Sequence, residues 1–178
     1  MKEKNPKSYC DYVANLDKDS LHKVYHDNQY GFAINNDDEL FGRLILEINQ
    51  AGLSWTTILV KQNNFRKAYS GFSIQKISKY GEHDINRLLS NSGIIRNRLK
   101  VSSVIYNAQK TLLLQKEFRS FRNWLEKNKG KKLEEWIKLF KNTFKFTGGQ
   151  ITKEFLISTG MLKGAHTINC PIFHKINQ

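Results

Sequence analysis

The feature of this sequence that most constrains its fold is the absence of proline between Pro6 and Pro171. Proline interrupts helices because it lacks a backbone donor and clashes with the preceding turn. Apolar residues recur at i, i+3 and i+4 almost throughout the chain after residue 38, and glycines follow these stretches at intervals. Glycine commonly ends a helix, since it adopts the left-handed conformation without steric cost. The sequence therefore predicts a nearly all-α protein.

Seven stretches carry this helical pattern. They lie around residues 40–48, 54–65, 84–90, 99–112, 118–128, 132–142 and 151–159. Asp37 or Asp38 is expected to cap the first helix and Ser54 the second, since their side-chain oxygens accept from free backbone amides. The third and fourth helices are separated by a short glycine-containing segment, which predicts a helix-hairpin-helix over about residues 84–112.

The length of 178 residues is typical of one domain, and no repeat or linker divides the chain. A single domain over residues 1–178 is therefore expected. Hydrophobic residues make up 39% and charged residues 25%, as in ordinary soluble proteins. No uninterrupted apolar run exceeds three residues, whereas a membrane-spanning helix needs about 20. Aspartates rather than an apolar stretch follow the charged N-terminus, so no signal peptide is predicted and a cytoplasmic location is expected.

Positive charge is concentrated in the second half of the chain. The formal net charge is +13; residues 1–90 hold 12 basic and 11 acidic side chains, whereas residues 91–178 hold 17 and 5. Such segregation indicates a surface that faces a polyanion. A lysine-rich coat that serves only solubility has the same composition, so charge alone does not decide between the two.

Glu47 is unusual because helical spacing places it beside Leu44, at the edge of an apolar stripe. A partly buried carboxylate is costly unless it is paired, so Glu47 either forms an internal salt bridge or cap, or faces a ligand. Tyr25, Tyr30 and Trp55 surround this position in the sequence. Aromatic residues are usually core, yet a stacking pocket combined with a basic surface is also what nucleic-acid recognition requires.

The segment between the third and fourth helices has features of a phosphate-binding turn. Gly93 lies in a turn that opens a helix, where free backbone N–H groups point outward. Arg96, Arg98 and Lys100 follow closely and would add positive charge. Most helix pairs are joined by similar turns, so the prediction of a DNA-backbone contact depends on these three cations.

The two cysteines lie near opposite ends of the chain. Cys170 follows His166 at a spacing compatible with zinc, and Cys10 with His22 or His26 would complete four nitrogen and sulfur ligands. Such a site would tie the N- and C-terminal segments together. A single disulfide between the ends and two free thiols remain alternatives, because two cysteines do not make a disulfide framework.

Four motifs together resemble the DNA-3-methyladenine glycosylase I family. They are Tyr25-His-Asp-Asn-Gln-Tyr-Gly31, Leu46-Glu-Ile-Asn-Gln-Ala-Gly-Leu-Ser-Trp55, Gly93-Ile-Ile-Arg-Asn-Arg98 and Phe144-Lys-Phe-Thr-Gly148. The resemblance covers residues 9–171 in order and with near-constant spacing. It implies an all-α helix-hairpin-helix DNA glycosylase that removes 3-methyladenine from alkylated double-stranded DNA, acts as a monomer and carries a structural zinc ion.

The resemblance also implies roles for individual residues. The family's base-contacting glutamate corresponds to Glu47, and its pocket tyrosine and tryptophan correspond to Tyr25 and Trp55. His22 stands where a second pocket tyrosine is often found, and Tyr30 replaces a usual tryptophan. The zinc ligands correspond to Cys10, His26, His166 and Cys170, with His22 as a rival to His26. The hairpin residues Gly93, Arg96, Arg98 and Lys100 would contact the DNA backbone.

The residue types limit the chemistry. Broader helix-hairpin-helix glycosylases use an aspartate downstream of the hairpin, and this chain has no aspartate after Asp84. 3-Methyladenine is already cationic, so its glycosidic bond is weakened without a strong general acid. No lysine is implicated as a Schiff-base nucleophile, which predicts an enzyme without lyase activity. Two alternatives are a non-catalytic DNA-binding protein on the same scaffold and a zinc hydrolase, which would need an open coordination site.

Overall fold

The computed structural model describes residues 6–176, which contain eleven α-helices, one 3₁₀ turn and no strand. The helices are α1 Tyr9–Ala14, α2 Leu21–Asn28, α3 Asp37–Gln50, α4 Trp55–Ala68, α5 Ile74–Ile77, α6 Glu82–Ser90, α7 Arg98–Phe118, α8 Phe121–Lys127, α9 Leu133–Thr143, α10 Gly149–Ser158 and α11 Pro171–Ile176. The 3₁₀ turn spans Ser70–Phe72. The all-α prediction is confirmed. Over residues 6–176, no helix combines the length and the apolar character that crossing a membrane requires.

The described residues form two compact units. One comprises the residues before position 34 together with those from 156 onward, and the other comprises Ile34–Phe155. The core of the larger unit is centred on α3, in which all ten residues from Leu40 to Asn49 are buried. The long helix α7 packs against α3, α5, α6 and α8 in the same unit. The prediction of a single domain over the whole chain stays a prediction.

The expected cap of α3 is wrong, because the N-cap is Asn36. Its Oδ1 accepts from the backbone N–H of Glu39 at 3.0 Å. The two aspartates that follow accept from the first amides of other helices. Asp37 accepts from the amides of Phe121 and Arg122 at the start of α8, at 2.7 and 3.0 Å. Asp38 accepts from the amide of Ile74 at the start of α5, at 2.9 Å. Local spacing predicts that a cap is present here, but tertiary packing decides which helix each carboxylate serves.

The boundaries of the other predicted helices are close to those observed, except that α7 continues to Phe118 rather than ending near residue 112. Ser54 caps α4 as expected, accepting from the amide of Thr57 at 3.2 Å. Gly52 follows α3 with a φ of 80°, a conformation that favours glycine. Gly81 is the N-cap of α6, so this glycine lies at the start of a helix. The short helices α1, α2, α5 and α11 were not predicted from the pattern, because helices of four to eight residues depend on packing more than on periodicity.

Candidate functional site

Four buried side chains converge in the unit formed by the chain ends. Cys10 lies in α1, His26 in α2, and His166 and Cys170 in the segment between α10 and α11. Their ligand atoms all lie within 4.8 Å of one another. We call these residues the metal group. His22 lies outside it, so the structure brings together the set with His26 rather than the rival set with His22.

The spacing of the metal group fits a tetrahedral zinc ion. The Nδ1 atom of His166 lies 3.1 Å from Nε2 of His26. Cys10 Sγ lies 3.4 Å from Nε2 of His26 and 3.7 Å from Nδ1 of His166. Cys170 Sγ lies 3.7 Å from both. Ligand bonds of about 2.0–2.3 Å in tetrahedral geometry place neighbouring donors about 3.3–3.8 Å apart. Five of the six donor separations are 3.1–3.7 Å and all lie within 4.8 Å, so the donor set and most of its spacing suit zinc.

Both histidines are oriented by a hydrogen bond at their second ring nitrogen. His166 Nε2 donates to the carbonyl oxygen of Tyr30 at 2.8 Å, and because a carbonyl only accepts, Nδ1 is left as the ligand atom. His26 Nδ1 lies 2.6 Å from the carboxylate of Asp27. Such partners fix the tautomer and strengthen the ligand. Sequence reasoning missed Asp27, although its position directly after His26 is visible in the printed sequence.

The charge on Asp27 is maintained in this setting. Burial opposes ionisation, but hydrogen bonding with His26 and the nearby ammonium of Lys23 outweigh it and lower the pKa of the carboxyl. Lys23 Nζ lies 3.4 Å from Asp27, one helical turn away. A cavity of about 250 Å³ is lined by Asp27, Lys23, Cys10 and Cys170 among others.

Two glycines bring the backbone close together beside His166. The N–H of Gly31 donates to the carbonyl of Ser158 at 2.9 Å. A Cβ atom on Gly31 would lie 2.5 Å from the Cβ of Ala165, and one on Gly160 would lie 2.8 Å from the carbonyl oxygen of Gly31. Both glycines also have positive φ, 80° and 72°. Larger residues would therefore displace the chain next to His166.

An aromatic cluster lies beside the metal group in the same unit. The ring of Tyr9 is 6.4 Å from Tyr25, 5.4 Å from Tyr30 and 5.6 Å from His26, measured between ring centroids. Its hydroxyl lies 3.0 Å from Nδ1 of His22. Tyr25 is buried, whereas Tyr30 and His22 are half-buried. The structure thus groups three predicted pocket residues around Tyr9. Sequence reasoning missed Tyr9, which directly precedes Cys10 of the metal group.

Glu47 and Trp55 belong to the larger unit. Glu47 lies in the last turn of α3 with 4% of its surface exposed, which confirms the burial inferred from spacing. Trp55 is the first residue of α4 and is half-buried. Only residues 51–54 separate the two helices. The short connection therefore keeps Trp55 close in the chain to the end of α3, the helix that carries Glu47.

Helices α6 and α7 enclose residues 91–97, as expected for a helix-hairpin-helix. The N–H of Gly93 is not free, since it donates to the Asn91 side chain at 2.8 Å. Arg96 is exposed. Arg98 is also exposed and forms a 2.9 Å ion pair with Glu82 at the surface. Exposed ion pairs contribute little, so this arginine can exchange its partner for a phosphate.

Lys100 does not have the surface position expected of a phosphate contact. Only 6% of the residue is exposed. Its ammonium donates to the backbone carbonyls of Asn49 and Ala51 at 2.9 and 2.7 Å. Burial lowers the pKa of this ammonium. The side chain extends into the protein because the end of α3 offers it two acceptors that the sequence alone does not reveal.

The fold and these groups define a class: an all-α protein with a helix-hairpin-helix segment and a buried Cys₂His₂ metal group. A family model described as methyladenine glycosylase matches residues 15–138. The chain belongs to this family. It is 30% identical over 180 residues to DNA-3-methyladenine glycosylase 1 of Escherichia coli (strain K12), covering 90% of this chain and 94% of that protein.

Solved structures agree with this assignment. A crystal structure of 3-methyladenine DNA glycosylase I matches with a TM-score of 0.80 and 30% identity, covering 88% of this chain and 96% of the other. A tyrosine-to-phenylalanine variant of such an enzyme, in complex with 3-methyladenine, matches with a TM-score of 0.80 and 28% identity, covering 87% and 93%. The similarity therefore extends over nearly the whole of each protein.

Proposed function

We propose that this protein is a DNA glycosylase that removes 3-methyladenine from alkylated double-stranded DNA in base-excision repair. The observation that carries the proposal is the buried carboxylate of Glu47 in the last turn of α3, in a chain of the methyladenine glycosylase family. The same resemblance supports a monomeric enzyme of the cytoplasm. The reaction breaks the glycosidic bond with water and leaves an abasic site.

Methylation at N3 places a positive charge on adenine and weakens its bond to the sugar. The protein must then flip the nucleotide out of the duplex, hold the cationic base and admit water. Glu47 would accept from the amino edge of the base and favour its positive charge, a role in recognition and electrostatics rather than nucleophilic attack. This role requires no aspartate downstream of the hairpin.

Aromatic side chains supply the preference for a cation. Trp55 and Tyr25 are proposed to stack on the base, each favouring the methylated form by about 0.5–2 kcal/mol. His22 and Tyr30 are proposed as further base contacts, on the strength of the resemblance. Gly93, Arg96 and Arg98 are proposed as DNA-backbone contacts; Lys100 is omitted because its ammonium is buried.

Cys10, His26, His166 and Cys170 are proposed to hold zinc. Zinc with four protein ligands stabilises the fold and has no position left for substrate, so the ion is structural rather than catalytic. We also propose that the enzyme lacks lyase activity. A protein–DNA adduct trapped by borohydride would contradict that statement.

The test is mass spectrometry of bases released from methylated duplex DNA, with 3-methyladenine, 7-methylguanine and adenine scored separately. Wild-type protein is expected to release 3-methyladenine selectively. Glu47→Gln keeps the shape but removes the charge, and we expect it to lower the excision rate by about 100-fold. Full activity and unchanged affinity for free 3-methyladenine in this variant would refute the role of Glu47. No release by folded, zinc-loaded wild type would instead favour a non-catalytic DNA-binding protein.

A further inference from the structure

The C-terminal end of α3 is stabilised by a lysine from another helix. The last carbonyls of a helix have no partners within it and carry the negative end of its dipole, which favours a nearby cation. The last turn of α3 contains no basic residue. Lys100 supplies the cation, donating to Asn49 O at 2.9 Å and Ala51 O at 2.7 Å.

The contact of Lys100 with the end of α3 links two helices that are far apart in the sequence. Lys100 lies in the first turn of α7, directly after the hairpin, and is 51 residues from Asn49. Ala51 is the C-cap of α3 and begins the connection that leads to Trp55. The Lys100 ammonium therefore connects the start of α7 to the end of α3, the helix that carries Glu47.

The surroundings of the ammonium hold it in place. The ring centroid of Phe146 lies 5.9 Å from Lys100 Nζ. Phe146 has a φ of 59°, an uncommon conformation for an aromatic residue. The preceding residue is fixed to α7, since Asn107 accepts from Lys145 N at 2.7 Å and donates to Lys145 O at 2.9 Å. A strained backbone held by its neighbours is a feature found at functional sites.

We propose that Lys100 is a positioning residue for base excision: its ammonium fixes residues 51–54, and with them the separation of Glu47 from Trp55. The inference rests on the proposed function. Lys100 acts through backbone carbonyls and contacts neither base nor phosphate. Its loss therefore affects the excision step more than DNA binding, because a misplacement of about 1 Å can reduce a rate by about 100-fold.

The test compares Lys100→Met with Lys110→Met in single-turnover excision of 3-methyladenine from duplex DNA. Lys110 is a matched control on α7, since its ammonium lies 5.4 Å from the Tyr106 ring. We expect Lys100→Met to lower the maximal rate by about 10–100-fold while the half-saturating DNA concentration changes less than about threefold. Lys110→Met should leave both values within about twofold of wild type.

A second readout does not depend on excision. The indole ¹H–¹⁵N signal of Trp55, assigned through Trp55→Phe, should shift in Lys100→Met and not in Lys110→Met. If wild type releases no 3-methyladenine, the proposed function fails, but the Trp55 signal still tests the Lys100 contact. An unchanged Trp55 signal in Lys100→Met would overturn the positioning role of Lys100. If Lys100→Met does not fold, Lys100→Gln, which keeps a donor without the charge, takes its place in both assays.

Three results would overturn the inference when wild type is active. The first is a maximal rate within about twofold of wild type in Lys100→Met, since positioning predicts a larger loss. The second is a raised half-saturating DNA concentration at unchanged maximal rate, which would indicate a phosphate contact. The third is a borohydride-trapped adduct that wild type forms and Lys100→Met does not, which would make Lys100 a nucleophile.

Discussion

Asp27 and the carbonyl oxygen of Tyr30 show how single residues prepare a metal group without being ligands. Each lies against the ring nitrogen that faces away from the other members of the metal group. Asp27 lies 2.6 Å from Nδ1 of His26, and the Tyr30 carbonyl lies 2.8 Å from Nε2 of His166. Burial lowers the pKa of His166, which keeps the imidazole neutral and competent to bind metal. Of these two partners only Asp27 can be changed by substitution, because the other is backbone.

Replacing Asp27 with alanine is expected to weaken zinc binding by about 10–100-fold, since the outer partner of a ligating histidine contributes that much in other sites. Zinc affinity is measured by competition with a chromophoric chelator. Asp19→Asn, at an exposed position before α2, is the control and should bind zinc like wild type. Equal affinity in Asp27→Ala and the control would show that the carboxylate does not support His26.

At the level of secondary-structure elements, the hairpin between α6 and α7 differs most from its prediction, because Gly93 and Lys100 form hydrogen bonds within the protein. The Asn91 side chain accepts from the N–H of Gly93, and the Asn97 side chain accepts from the amide of Lys100 at 3.1 Å. With Lys100 directed inward, Arg96 and Arg98 are the hairpin cations at the surface. DNA affinity should therefore depend on these two arginines rather than on three cations.

Arg96→Ala is expected to weaken binding to undamaged duplex DNA and to reduce the slope of log K against log salt concentration by about 1, as for one lost phosphate contact. Fluorescence anisotropy over a salt series measures both quantities. Lys116→Ala removes an exposed cation from the last turn of α7 and serves as the control, with an unchanged slope. Identical slopes for Arg96→Ala and wild type would exclude a phosphate contact at Arg96.

At the scale of the whole molecule, the metal group brings together residues that are far apart in sequence. Cys10 and His166 are separated by 156 residues, and His26 and Cys170 by 144. The unit that contains them consists of short helices, which have little stability of their own. The larger unit has its own buried core around α3 and α7. Metal should therefore stabilise the two units unequally.

Removal of zinc by a chelator is expected to speed amide exchange in α1 and α2 while α3 and α7 remain protected. A metal present at 100 times its dissociation constant stabilises the state that binds it by about 2.7 kcal/mol, or about 100-fold in local opening. Hydrogen exchange with mass spectrometry resolves the two units. Reloading with zinc should restore protection, and uniform loss of protection over residues 6–176 would contradict the prediction.

The sequence by itself determined the helical class, most helix boundaries and the residue types of the metal group. These features depend on periodicity, capping residues such as Ser54 and the chemistry of Cys and His, all of which are local or compositional. Burial of Glu47 also followed from spacing within one helix. The roles of Tyr25 and Trp55 in base binding remain predictions carried by the resemblance.

Only the tertiary structure decided which way individual side chains are directed. It placed His26 rather than His22 in the metal group, assigned Asp37 to the start of α8, and turned Lys100 away from the surface toward α3. Each choice depends on acceptors or ligands from another part of the chain, 51 residues away for Lys100 and Asn49. Local periodicity carries no information about such partners, because the packing of helices brings them together.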